Sequence, residues 1–279
     1  MWRGDDRRPP HRHGTSGGRT RRLVAAGLIG SFAATSGAAA AQCPDGRAPI
    51  YLTFDTGSES QAELIHDVLK KHDVRATFFL ANERSVRGDW SLDPAWAPYW
   101  KMLADEGHAF GTHTFDHVYF RGDVGSDQVR VRPQFGPEAG RTRTWTAAQY
   151  CSELDRVGQR FEALTGKPLD HFWRAPGGRT SPRLIAFGHS CGYRHFGWSD
   201  AGFIGDELPS DRYPNAMLLD RALKSLKSGD IVLMHLGIWS RKEPLAPILD
   251  PLIAGLKAEG HCFRTLRDYP AERAPLEHS

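Results

Sequence analysis

His113 and His117 stand four residues apart in the run Gly111-Thr112-His113-Thr114-Phe115-Asp116-His117. On a helix that spacing would set both imidazoles on one face, able to ligate one divalent ion. Two imidazoles need at least one further ligand, often a carboxylate or water. Upstream, Asp55 lies in Thr53-Phe54-Asp55-Thr56-Gly57. A strand-to-loop turn of this kind can aim a carboxylate into a cleft, where it takes a proton from water and makes a nucleophile. The plainer alternative is a helix cap, since Asp in turns often accepts from backbone amides. Arg174, ahead of Ala175-Pro176-Gly177-Gly178, can clamp Asp55 and hold it ionised. A purely structural ion pair would have the same sequence.

His235 closes the apolar run Ile231-Val232-Leu233-Met234, where a polar residue is out of place unless it faces a site. It can protonate a leaving amine or alcohol, with Asp200 in Gly197-Trp198-Ser199-Asp200 orienting its ring. A buried histidine with a satisfied hydrogen bond is the bland alternative. A Ser-His-Asp hydrolase is the rival chemistry for such a set. Of the tryptophans, only Trp198 or Trp239 is expected near the site.

The elements that must carry these residues alternate. Strand-like runs at 50–54, 76–80, 109–111, 171–173, 193–195, 231–234 and 262–265 are separated by helical periodicity at 60–71, 98–106 and 146–164. Further helices are expected from Pro182, from Pro214 and over 247–259. About seven such units imply parallel strands, and the candidate residues fall at strand C-termini, where barrel enzymes assemble their sites. The expectation is a distorted (β/α) barrel of about seven parallel strands, although an open sheet gathers ligands at the same edge. Residues 118–144 are rich in arginine and glycine and read as a long loop, of the kind that is functional or mobile.

The chain has 279 residues, 40% of them apolar, which is enough for a buried core. Its formal charge of +3 misleads, because residues 1–41 hold seven of the 36 basic side chains and two of the 33 acidic ones. The remainder is slightly acidic and gives no electrostatic case for nucleic-acid binding. Residues 1–41 read as an export signal: arginines ending at Arg21-Arg22, an apolar stretch over 23–34, and Ala38-Ala39-Ala40-Ala41 before cleavage near Gln42. The apolar stretch is too short for a permanent span, so no stable membrane insertion is expected after cleavage. The product, residues 42–279, is then one periplasmic or secreted domain. Its four cysteines, Cys43, Cys151, Cys191 and Cys262, allow three pairings. Closure of a barrel between its first and last strands favours Cys43–Cys262, leaving Cys151–Cys191; four free thiols are the alternative.

Taken in order, Thr53-Phe-Asp55-Thr-Gly, His113-Thr-Phe-Asp-His117, Arg174-Ala-Pro, Trp198-Ser-Asp200 and Leu233-Met-His235 resemble the polysaccharide deacetylase (NodB homology) family of carbohydrate esterases over residues 50–267. The resemblance implies a distorted (β/α) barrel, a divalent metal such as zinc or cobalt, and hydrolysis of N-acetyl groups on an acetylated polysaccharide. It implies Asp55 as base, His113 and His117 as metal ligands, His235 as acid, Arg174 positioning Asp55, and Asp200 tuning His235. Two departures matter. Thr56 stands where the family commonly has a second aspartate that ligates the metal, so the ion is expected to be weakly held unless Asp116, Glu59 or water completes the shell. Gly177 stands where an aromatic residue often follows Arg-x-Pro. An O-acetyl esterase on the same scaffold and an inactive carbohydrate-binding relic are the competing readings.

Overall fold

The apolar runs that end in candidate residues are strands of one parallel sheet. The computed structural model describes residues 43–271. In chain order it contains β1 (Tyr51–Asp55), α1 (Ala62–Lys71), β2 (Thr77–Leu80), α2 (Ala97–Asp105), β3 (Ala109–Thr112), β4 (Val118–Val124), β5 (Gln128–Pro133) and β6 (Arg143–Thr146). Then follow α3 (Ala147–Thr165), β7 (Phe172–Trp173), α4 (Pro182–Ser190), β8 (Arg194–His195), α5 (Asn215–Ser225), β9 (Ile231–His235) and α6 (Leu249–Ala258). The sheet runs β8-β7-β3-β2-β1-β9 and curls into a half-barrel lined by helices. β1, β2 and β3 are buried along their whole length, which is why they read as unbroken apolar runs rather than alternating ones. Residues 262–265, expected as a further strand, contribute a single parallel bridge from Phe263 to Ile50.

The register decides what meets at the strand ends. Asp55 lies opposite Phe79 on β2 and opposite His235 on β9. Thr112, the residue before His113, pairs with Leu80 and with Trp173, the residue before Arg174. Four candidate positions are therefore brought to one edge by ladder pairing before any side chain is considered. The larger core packs Leu52, Phe54, Phe78 and Phe110 against Ile65, Leu69, Trp100, Leu252 and Ile253 of the helices.

Residues 118–144 differ from the expected loop. They form an antiparallel sheet, β4-β5-β6, whose inward residues Val118, Phe120, Val129 and Val131 join Tyr150, Leu154 and Leu184 in a second core. Two apolar residues per strand, alternating with arginines, suffice to seat it. That period is short and easily hidden by a polar composition. The strand feeds directly into α3, whose start is fixed by a capping box between Thr146 and Gln149 and whose end is fixed by Gly166 in the left-handed region.

Both favoured disulfides are present, Cys43–Cys262 and Cys151–Cys191. The second joins α3 to the residue that caps α4, closing a loop of 40 residues. Replacing both of its cysteines with serine is expected to lower unfolding free energy by about 2–4 kcal/mol through the looser unfolded chain. A urea titration of the two proteins side by side checks this. Among the described residues no helix is long and apolar enough to cross a membrane. The expected export signal at 1–41 lies outside the described residues.

Candidate active site

Asp55 ends β1 and is 2% exposed. The loop beyond it passes directly beneath the carbonyl of Gly237, so that a Cβ at Gly57 would collide with that oxygen. Ser58 donates its amide to the same carbonyl at 2.9 Å, tying the β1 and β9 loops together. Arg174, fully buried, donates to Asp55 Oδ1 at 2.7 Å, to Phe196 O at 3.1 Å and to Gly197 O at 3.0 Å, and lies 4.2 Å over the Phe79 ring. Burial works to raise the Asp55 carboxyl, but the Arg174 guanidinium first, then the neighbouring His113 and His235 rings, outweigh it and hold the group below its usual 3.8. Asp55 is a carboxylate at neutral pH.

The segment carrying the histidines is a turn rather than a helix. Thr114 and His117 have φ of 62° and 48°, in the left-handed region that ordinary residues avoid. Side chains pin it there: Thr114 Oγ1 accepts from Val118 N at 2.6 Å and Glu153 Oε1 accepts from Asp116 N at 2.5 Å. The rings of His113 and His117 nevertheless meet, with centroids 4.9 Å apart. His113 Nδ1 bonds the carbonyl of Arg174 at 3.0 Å. A carbonyl only accepts, so Nδ1 carries the proton and Nε2 presents a lone pair, 3.5 Å from Asp55 Oδ2. Burial drives this imidazole to about 3, against the pull of Asp55, so it is neutral.

Whether these groups suit a metal follows from the donors. A lone pair on His113 faces a carboxylate oxygen with no proton of its own to share, and His117 Nδ1 is buried without a hydrogen-bond partner among the described residues. Both are open for a cation. The third donor is missing. Thr56 donates its hydroxyl to Glu83 Oε1 at 2.7 Å and accepts from Ala81 N at 3.0 Å, so it fastens β1 to the chain beyond β2. The two expected substitutes are occupied elsewhere: Asp116 is paired with Arg156 at 2.8 Å, and Glu59 is buried with its carboxyl pushed well up, by burial first and then by Glu83. Among the described residues no group of three His, Cys, Asp or Glu side chains could hold an ion. The residues fit a two-imidazole site with open positions, and do not fit a closed three-ligand one.

His235 lies beside Asp55 in the ladder, and its partner is not Asp200. Asp200 is exposed on the surface. Asp206, six residues on and buried, accepts from both His235 N at 2.6 Å and His235 Nδ1 at 3.0 Å. Burial disfavours the imidazolium, but Asp206, then Asp55 and Glu207, lift it to about 10. With Nδ1–H committed to Asp206, Nε2–H is the proton left to give. Asp206→Asn is therefore expected to move the alkaline limb of kcat/KM down by more than one pH unit, towards the ordinary histidine range. An unmoved limb would remove Asp206 from the site.

Sequence reading also missed Tyr119. Its ring lies 5.0 Å from that of His117, and a Cβ at position 177 would stand 3.2 Å from its Cε1. Gly177 itself has φ of 67°. The β4 tyrosine thus fills space beside the Arg-x-Pro turn where a side chain from 177 would go. Trp198 lies with its ring 5.8 Å from the Arg174 guanidinium, while Trp239 is 65% exposed. The rival serine chemistry finds no support. Gly188-His189-Ser190-Cys191-Gly192 has the spacing of a nucleophile elbow, yet Ser190 ends a helix instead of opening one, and its hydroxyl donates to Phe187 O at 2.7 Å.

A family model described as polysaccharide deacetylase matches residues 43–196. The peptidoglycan-N-acetylmuramic acid deacetylase PdaA of Bacillus subtilis is 31% identical over 225 residues, covering 80% of this chain and 72% of its own. Two solved structures share the fold. A family 4 acetyl xylan esterase from Clostridium thermocellum in complex with a cobalt ion has a TM-score of 0.59 at 21% identity, over 79% of this chain and 89% of that one. A CE4 family pseudoenzyme from Bacillus anthracis has a TM-score of 0.58 at 20% identity, over 80% and 65%.

Proposed function

Because this chain belongs to the polysaccharide deacetylase family, we propose that it is a hydrolase that removes N-acetyl groups from an acetylated polysaccharide outside the cytoplasm, peptidoglycan being the favoured class. The observation that carries this reading is the pairing of Asp55 with His235 across one ladder. Their surroundings push their proton affinities in opposite directions, the carboxyl down and the imidazole up to about 10. Opposed carboxylate and imidazolium at adjacent positions are what acid–base hydrolysis needs.

Asp55 takes the proton of the attacking water as its oxygen adds to the acetyl carbonyl. The intermediate collapses when His235 passes its Nε2 proton to the departing nitrogen, releasing acetate and a free amine. A leaving amide nitrogen becomes strongly basic, so a donor near 10 can still protonate it. Arg174 keeps Asp55 charged and fixed, and Asp206 keeps His235 charged and oriented. A zinc or cobalt ion held by His113 and His117 would polarise the acetyl carbonyl, and with Thr56 at the third position it is expected to be loosely held. The PdaA relative's name, the paired cysteines and the signal-like residues 1–41 support an exported peptidoglycan enzyme.

The test is acetate release by residues 42–279 from peptidoglycan and from N-acetylglucosamine oligomers, after chelation and after return of zinc or cobalt. Release that returns with metal supports the whole reading. Release indifferent to metal keeps the hydrolase and removes the ion. No release from either glycan, with binding retained, favours the relic instead, the reading that the missing third donor supports.

A further inference from the structure

The antiparallel sheet beside the site carries charge that the acid–base chemistry does not use. Along β4 and β5, Val118, Phe120, Val129 and Val131 face the core, so Tyr119, Arg121 and Arg132 share the outward face. Arg132 lies directly opposite Tyr119 in the ladder, and Arg121 sits at the bulge between Phe120 and Gly122. The Arg121 guanidinium stands 5.3 Å over the Tyr119 ring. Arg132 donates Nε to Gly140 O at 2.9 Å, which orients its fork and leaves its terminal nitrogens without a hydrogen bond among the described residues.

Like charges this close on one sheet face repel unless something anionic lies between them. Of the neighbouring arginines, Arg141 and Arg143 both reach Glu138, whereas Arg130, also outward on β5, has no carboxylate partner among the described residues and lies outside the cavity lining. Among the described residues neither Arg121 nor Arg132 has a carboxylate partner. Asp123, the nearest acid along β4, accepts from Ser181 at 2.7 Å instead. Between the two arginines lies a cavity of about 210 Å³ lined by Tyr119, Arg121, Arg132, Pro133, Gln134 and Gly140. That is room for several waters, and so for a carboxylate-bearing substituent, at a face open to solvent. Its floor is continuous with the catalytic side, because Tyr119 touches both His117 and the Gly177 turn.

We propose that Arg121 and Arg132 form an anion subsite that reads a carboxylate carried by the glycan close to its acetamido group. This rests on the deacetylase reading for its substrate and narrows it to acidic amino-sugar polymers. A planar guanidinium fork matches a carboxylate in two bonds, and Tyr119 supplies an apolar wall between that contact and the imidazoles. The carboxylate could belong to a muramic acid ether or to a neighbouring uronic acid, and the two share this recognition chemistry.

Binding, rather than turnover, tests it. The Asp55→Asn protein, checked for fold by circular dichroism, is titrated calorimetrically with peptide-free glycan strands bearing muramic acid, and with the same strands after reduction of their carboxyls to alcohols. An oligomer alternating N-acetylglucosamine with a uronic acid forms a second arm. The native carboxylate form of at least one glycan is expected to bind about tenfold or more tightly than its reduced form. The tighter glycan identifies the source. Arg121→Gln with Arg132→Gln, both exposed side chains, is expected to erase that ratio, and Lys at both positions to restore part of it. The ratio is repeated with the unsubstituted protein, so that it does not depend on position 55. Equal binding of native and reduced forms in both arms, or a ratio that survives loss of both arginines, overturns the subsite. Absence of acetate release with the ratio intact would sink the hydrolase and leave the subsite standing.

Discussion

Asp55→Asn is expected to lower kcat/KM for acetate release by about 10²–10⁴-fold, the range that a positioned general base contributes. Asparagine keeps the shape and can still meet Arg174, so the fold should survive and the loss should fall on chemistry. Its nitrogen end cannot take a proton from water. The comparison is of initial acetate rates at matched metal content, with circular dichroism confirming the fold. A loss below tenfold would mean that another group is the base, although among the described residues no other carboxylate lies within 4 Å of a His113 nitrogen. The acid limb of the native profile should lie below pH 3.8, since the carboxyl is depressed and stays charged until pH falls through its own lower value.

Arg174→Met is expected to cost about 3–5 kcal/mol of stability, the usual consequence of stranding one member of a buried ion pair. Both partners are almost wholly inside the protein, and the guanidinium also satisfies the carbonyls of Phe196 and Gly197. Losing it leaves a buried carboxylate and two carbonyl oxygens unmet. The sign with pH follows. In the native protein the pair stabilises fully above pH 3.8 and fades as pH falls through the depressed value of Asp55. In the variant that carboxyl should rise, so the stability gap between the two proteins should narrow in acid. Urea midpoints at pH 7 and pH 4 measure both effects. A gap that is small at pH 7 would show the pair to be isolated from folding.

Much of this was legible in sequence because strand ends carry the chemistry. Asp55, His113, Arg174 and His235 each follow a short apolar run, and parallel pairing does the rest. What was not legible has physical causes. Asp200 and Asp206 are both acids beyond the same strand, and only the path of the intervening turn decides which one returns to His235. The spacing of His113 and His117 would give one shared face only on a helix, whereas two left-handed residues bring the rings together in a turn. The β4-β5-β6 sheet was hidden because its inward period is only two residues deep. Thr56 could be seen to be a poor ligand, but its bond to Glu83 could not, since nothing local links residues 27 apart.

The Cys43–Cys262 bond also has a mechanical meaning. It holds the chain before β1 to the chain after α6, with the two Cα atoms 5.5 Å apart. Tension applied at the two ends of the domain is carried by that covalent link and bypasses the sheet between them. A handle-to-handle pulling experiment on the oxidised protein should therefore show almost no lengthening between residues 43 and 262. After reduction the same pull loads β1, which lies between β2 and β9, and the strand that carries Asp55 becomes part of the force path.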